Sequence, residues 1–175
     1  MENEVIKVLA TRRSIRSYKP EQITDEELKT VLEAGTWAPT AKGLQDPWIV
    51  AVQNPGLLKR ISRMNAAVWG REDIDPFYGA PTFVLVFGTA DWGNAVPDGS
   101  LVLGNMMNAA HAIGLGSCWI NREREMFVTE EGKALMKELG LPDGLIGIGA
   151  LALGYPAAPP KDPKPRKENY YRIVK

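Results

Sequence analysis

Residues 101–113, Leu101-Val102-Leu103-Gly104-Asn105-Met106-Met107-Asn108-Ala109-Ala110-His111-Ala112-Ile113, are apolar almost all round the helix they predict. A helix wetted on one side carries a polar stripe on that side. This one therefore belongs in the centre of the molecule or in an interface between copies. Strand-length apolar runs lie on both sides of it. Residues 82–87 are continuously apolar and end at Gly88. Residues 48–52, 117–120 and 145–153 are the other strand candidates.

Helices fall between these strands. Thr24-Asp25-Glu26-Glu27 is a capping-box pattern, in which hydroxyl and carboxylate satisfy each other's backbone amides. Leu28, Val31 and Leu32 then form one apolar face up to Gly35. Asn54-Pro55 places proline at a first helical position, and Leu57, Leu58 and Ile61 follow at helical spacing. Val5, Ile6, Val8 and Leu9 predict a short amphipathic helix, and residues 129–139 another, closed by Gly140 and Pro142. Residues 39–47 read as loop. Residues 65–81 read as loop or a short helical excursion. Residues 156–167 hold five prolines among four basic residues, an extended arm, and Tyr170, Tyr171, Ile173 and Val174 form an apolar tail that should dock on something. The class is mixed α and β, one domain over residues 1–175. Periodicity alone does not give the strand order.

Composition narrows the function. Lys+Arg 21 balances Asp+Glu 21 in 175 residues, which argues against a dedicated nucleic-acid binder. Hydrophobic content of 45% suits a packed globule. One Cys excludes an internal disulfide, and one Cys with one His makes a zinc site implausible. No run reaches the roughly 18 apolar residues of a membrane span. The acidic start, Met1-Glu2-Asn3-Glu4, has no apolar signal core. These features predict a cytoplasmic protein that uses neither membrane nor metal.

Two basic clusters stand out. Arg12, Arg13 and Arg16 surround Ser14 at the end of the first helix. Cations there can complement the helix dipole or simply be solvated. They can also form an anion site, because guanidinium forks match phosphate oxygens and serine adds a neutral donor. Lys164-Pro165-Arg166-Lys167 lies on the stiff arm. If the arm folds back, one phosphate monoester is gripped from both ends of the chain. His111, between alanines, reads as a hydrogen-bonded helix residue. Cys118, in Gly116-Ser117-Cys118-Trp119, reads as small core packing. G-x-S-x-G, Walker A and a strand-to-helix G-x-G-x-x-G are all missing, and Gly147-Ile148-Gly149 lies inside a strand. A chain without nucleophile, metal or proton shuttle, but with a phosphate site and aromatic walls, suits an enzyme whose cofactor does the chemistry.

Four segments in register resemble the flavin-dependent nitroreductase superfamily. They are Arg12-Arg13-Ser14-Ile15-Arg16; Ala38-Pro39-Thr40-Ala41-Lys42-Gly43-Leu44-Gln45; Gly114-Leu115-Gly116-Ser117-Cys118-Trp119-Ile120; and Gly154-Tyr155-Pro156 with Lys164 and Arg166. The resemblance implies an α+β fold with a mainly antiparallel central sheet flanked by helices. It implies an intertwined homodimer with FMN sites at the interface, helix 101–113 at its core and residues 155–175 packing on the partner. Arg12, Arg13 and Ser14 would face the phosphate and ribityl chain, and Arg16 the flavin N1 and C2 carbonyl edge. A fixed cation at that edge favours hydride acceptance. Pro39, Thr40 and Gln45 would reach the ring from the partner subunit. The backbone of Trp119, Ile120 and Asn121 would approach flavin N5, and Lys164 and Arg166 would close on the phosphate. Trp69, Phe77 and Tyr78 would cover the substrate pocket. Gly43 departs from the asparagine of many relatives, which removes a polar contact in that loop.

The function so implied is an FMN-dependent NAD(P)H oxidoreductase. NADH or NADPH would be the donor, and nitroaromatics, quinones or enones the small-molecule acceptors, in a ping-pong cycle of hydride transfer. The alternative is an FMN-binding protein for storage, delivery or sensing, with no significant turnover.

Overall fold

The computed structural model describes residues 3–175. Six α-helices are described: α1 (Glu4–Thr11), α2 (Asp25–Thr36), α3 (Pro55–Trp69), α4 (Ala95–Ala112), α5 (Glu123–Phe127) and α6 (Glu130–Glu138). Four strands, β1 (Trp48–Val52), β2 (Thr82–Thr89), β3 (Gly116–Ile120) and β4 (Leu145–Gly154), form one antiparallel sheet in the order β1-β2-β4-β3. The expected α+β class with an antiparallel sheet is what the chain adopts.

The helix starts follow from local chemistry. Thr24 Oγ1 accepts from Glu27 N at 3.2 Å while Glu27 Oε2 accepts from Thr24 N at 2.8 Å, so the capping box is complete. Asn54 Oδ1 accepts from Leu57 N at 2.9 Å, and Gly70 ends α3 at φ 70°. Residues 65–81, expected as loop or a short helical excursion, divide into a helical part to Trp69 and turns and coil beyond it. Asn65 and Ala66 are buried helical positions, and α3 continues through Trp69. The central helix also begins earlier than its apolar run, at Ala95.

β2 is buried on both faces, which explains its unbroken apolar run. Val84 and Val86, with Leu151 and Leu153 of β4, meet Val102, Leu103, Met106 and Ala110 of α4 and Val31 of α2. Phe83, Leu85 and Phe87 meet Ile61 and Met64 of α3, Met126 and Phe127 of α5, and Leu135 of α6. The β2–β4 register shifts between Val86 and Phe87, opposite Gly149 and Gly147, leaving Ile148 as the extra residue. Both glycines serve close approach. A Cβ at Gly149 would lie 2.8 Å from Trp119 Cζ2, and one at Gly147 would lie 2.6 Å from the Glu123 carbonyl oxygen.

The segment after α1 is stitched to the far end of the chain. Ile15 N donates to Ser117 O at 3.0 Å, Lys19 N to Tyr155 O at 2.9 Å and Ala157 N to Ser17 O at 3.0 Å. Tyr18 Oη donates to the carbonyls of Ile15 and Ala152 at 2.9 and 3.1 Å. Beyond Ala157 the arm is exposed, and the tail has no cover within one chain: Tyr171 is 79% and Val174 93% exposed. No helix among the described residues is long and apolar enough to cross a membrane.

Candidate functional site

The stitching at residues 15–19 brings the two basic clusters together. A cavity of about 750 Å³ is lined by Arg13, Ser14, Arg16, Lys161, Lys164 and Arg166, among other residues of both segments. Its size is that of an ordinary small-molecule or cofactor site.

The three N-terminal arginines divide their work. Arg13 Nη1 donates to the carbonyls of Ala10 and Arg12, at 2.8 and 2.6 Å, so it caps the open end of α1. Arg12 has a buried Nη1 with no hydrogen-bond partner among the described residues. A buried guanidinium nitrogen without an acceptor is costly. An anionic ligand oxygen is the kind of group that would complete it. Arg16 is exposed, 6.0 Å from the centroid of the Tyr78 ring. On the arm, Arg166 Nη2 donates to Lys164 O at 3.1 Å, which curls the basic stretch on itself.

The loop after α2 is shaped separately. Asp98, buried on α4, accepts from Ala41 N at 3.0 Å and from the Trp92 indole N–H at 3.1 Å. Thr40 Oγ1 accepts from Gln45 N at 3.0 Å. Lys42 and Gln45 both stand in the left-handed region, at φ 57° and 52°, an expensive conformation for residues with a side chain. Within one chain, Pro39, Thr40 and Gln45 do not line the cavity.

Beyond the cavity, β3 is an edge strand. Ile15 N covers its outer edge at Ser117. No backbone bond from another segment covers that edge from Trp119 onward among the described residues. Outward N–H and C=O groups there are open to a ligand. Trp119 donates its indole N–H to Asn121 Oδ1 at 2.7 Å, Ile120 is buried and Asn121 is exposed. Just past them, fully buried Asn65 donates to Asn121 O at 2.8 Å and to Glu123 Oε1 at 3.3 Å, and accepts from Arg122 Nε at 3.0 Å. Burial pushes the Glu123 carboxyl up to about 8.

The three pocket candidates separate. Trp69 is 45% exposed at the end of α3. Tyr78 lies beside Arg16. Phe77 is 2% exposed, stacked on Phe83 with ring centroids 3.6 Å apart, and fills the core instead of covering a pocket. Cys118 is buried, and burial pushes its thiol pKa up, away from reactivity. Thr11 Oγ1 already donates to Lys7 O at 2.7 Å, so His111 Nε2 donates to Thr11 at 2.9 Å. Burial, then Arg12 and Arg13, hold the histidine pKa down. Among the described residues no cluster of His, Cys, Asp or Glu could hold a metal ion.

Sequence reasoning missed Asp98, Asn65, Arg122 and Glu123. One signal was available: Asn65 is a polar residue at an apolar helical position, after Ile61 and Met64.

The sequence profile of the Nitroreductase family matches residues 9–155. A curated relative from Archaeoglobus fulgidus, carrying an NADH dehydrogenase/NAD(P)H nitroreductase name, is 33% identical over 160 residues, covering 87% of this chain and 86% of that protein. An FMN reductase [NAD(P)H] of Bacillus subtilis is 30% identical, covering 89% of this chain and 67% of that protein. Among solved structures, a nitroreductase with bound FMN from Bacteroides fragilis superposes with a TM-score of 0.92 at 30% identity, over 99% of this chain and 100% of that one. Sequence profile, curated relatives and fold agree with the motifs at both ends of the chain: it belongs to the nitroreductase family.

Proposed function

We propose that this chain is an FMN-dependent oxidoreductase that takes electrons from NADH or NADPH and passes them to electron-poor small molecules such as nitroaromatics, quinones or enones. The observation that carries the reading is the cavity between Arg13-Ser14-Arg16 and Lys164-Arg166, with the orphaned Arg12 nitrogen close to it in sequence. A dianionic phosphate matches that donor set, where several guanidinium and ammonium groups and a serine surround one space. Arg12, Ser14, Lys164 and Arg166 hold the phosphate end. Arg16 places a positive charge where a reduced ring would carry negative charge, and Tyr78 lies against it. The open backbone edge of β3 from Trp119 to Asn121 supplies fixed dipoles to orient a ring system. When bound, FMN supplies reversible two-electron chemistry, which this chain's side chains lack.

The site is completed by a second copy of the chain. α1, which lies against α4, leaves Val5, Ile6 and Leu9 exposed, and α4 leaves Leu101 47% exposed. Exposed apolar side chains on two packed helices are the kind of surface that marks an interaction face. Pro39, Thr40 and Gln45, in a loop whose Lys42 and Gln45 are held in the left-handed region and which lies outside the cavity of its own chain, would serve the partner's site.

The decisive experiment is an absorbance spectrum of the purified protein before and after anaerobic NADH, then NADPH, followed by steady-state turnover with a quinone. The expected result is a yellow protein that either donor bleaches and a quinone restores. Colourless protein that takes up no added FMN overturns the reading. Bound FMN that is reduced no faster than free flavin assigns the chain to storage or delivery instead.

A further inference from the structure

Arg122 follows β3 and opens α5 with its backbone at φ 85°, in the left-handed region that a side-chain-bearing residue avoids. Its side chain is held at two points. Nε donates to Asn65 Oδ1 at 3.0 Å, and the guanidinium carbon lies 4.2 Å from the centroid of the Trp69 ring. Asn65 is fully buried and also bonds Asn121 and Glu123, so one side chain fixes the residues before, at and after Arg122.

That grip leaves the positive charge unspent. Arg122 has no salt bridge among the described residues, and its two terminal nitrogens have no hydrogen-bond partner there. The adjacent carboxyl, Glu123, is buried and pushed up to about 8, so it holds its proton at neutral pH and does not cancel the guanidinium. Arg71 offers the contrast. It too lies near Trp69, at 5.9 Å, but it forms a two-point pair with Asp73 at 3.1 and 3.3 Å. A half-buried, immobilised guanidinium with a free fork loses little entropy on binding and matches a carboxylate in two-point geometry.

We infer that Arg122, held by Asn65 and Trp69 just past the open edge of β3, receives a carboxylate carried by the electron acceptor, so that the preferred acceptors are anionic aromatic compounds. The inference rests on the flavin reading above, because only a ring lying along that edge gives the acceptor a reason to reach Arg122. Arg122 is then a specificity residue. It binds the substrate at a distance from the reacting group and acts on KM more than on kcat.

The test compares 4-nitrobenzoate with 4-nitrobenzamide as acceptors for the FMN-loaded protein at saturating NADH. The expected KM for the carboxylate is about tenfold lower in the parent protein, the scale of a hydrogen bond to a charged group. Arg122→Gln should erase that ratio and Arg122→Lys should restore part of it, with the kcat ratio of the two compounds unchanged. A second readout needs no turnover: both compounds are titrated into the oxidised holoprotein without donor, and the flavin absorbance should give the same order of Kd values. Equal KM and Kd values in the parent protein overturn the inference. So does an equal loss for both compounds in Arg122→Gln, the mark of a structural role, or a loss confined to the KM for NADPH. Protein that binds FMN and turns over both compounds alike sinks this inference and leaves the flavin reading standing, whereas protein that takes up no FMN sinks both.

Discussion

On one side of the sheet, Phe83, Leu85 and Phe87 are roofed by α3, α5 and α6, and the rim of that roof is tied by charges. Arg60 reaches Glu138 at 2.6 Å and Glu131 at 3.3 Å, and Arg63 reaches Glu131 at 3.2 Å. On the other side, Val84, Val86, Leu151 and Leu153 are covered by α4 and α2, but the outer layer ends in Val5, Ile6, Leu9, Leu101 and Ile113 facing water. Both layers bury the sheet residues beneath them. What differs is the finish: the first rim is tied by ion pairs although it exposes Val68, Trp69 and Val128, whereas the second exposes a larger apolar set. The second side is the one that a partner copy would cover in the proposed dimer. The same asymmetry accounts for a helix whose sequence is apolar almost all round although one chain buries only part of it.

The sharpest attempt to break this contrast is Leu101→Asp. A charge on the apolar side should abolish dimer formation and FMN retention together while leaving the fold intact. Light scattering, flavin absorbance and circular dichroism check the three parts. A parent protein that is already monomeric removes the contrast.

The next effect belongs to the first side. Glu123 titrates near 4.5 when unfolded and about 8 when folded. A folded pKa raised by burial leaves stability whole below the unfolded value and erodes it as pH rises toward the folded one. Unfolding free energy should fall between about pH 4.5 and pH 8, by on the order of 3 kcal/mol at pH 7. Glu123→Gln should flatten that slope in urea titrations run at several pH values. A slope of the same size in the variant assigns the erosion to another group.

Arg12 tests the seam between the two sides. Arg12→Ala should weaken FMN binding by roughly 1.5–3 kcal/mol, the range for a hydrogen bond to a charged group, and Arg166→Ala by less because that side chain is exposed. Fluorescence titration of FMN measures both. Cys118→Ser should have the smallest effect. The thiol is buried on the first side, so turnover should persist with FMN bound, and loss of turnover alone would give the thiol a chemical role.

Legibility in the sequence tracks how local the governing interaction is. The starts of α2 and α3 were readable because Thr24, Glu27 and Asn54 bond amides within three residues of themselves. The continuous run in β2 was readable because burial on both faces requires it. The two basic clusters were readable as composition, and their meeting in one cavity followed from a single assumption about the arm. Phe77 was misread because its charged neighbours suggest surface, while its ring is claimed by Phe83 from the sheet. Asn65 showed itself only as a polar residue at an apolar helical position, and Arg122 and Glu123 were invisible for a related reason. Arg122 and Glu123 lie 57 and 58 positions beyond Asn65 in sequence, and the strained turn that carries them leaves no residue-type signature.

The C-terminal arm is fastened at its root by Ala157 and Ser17, and past that point it contributes nothing to the two cores. In the proposed function it would act as a covalently tethered counter-charge to the phosphate, its cations kept at high effective concentration beside the N-terminal arginines by a short proline-stiffened leash. Peeling the leash back would disturb neither core. With the phosphate held as proposed, cofactor exchange would be tuned by the arm without altering global unfolding, and the residence time of the bound nucleotide could drift in evolution through the arm's proline and lysine content without touching the interior.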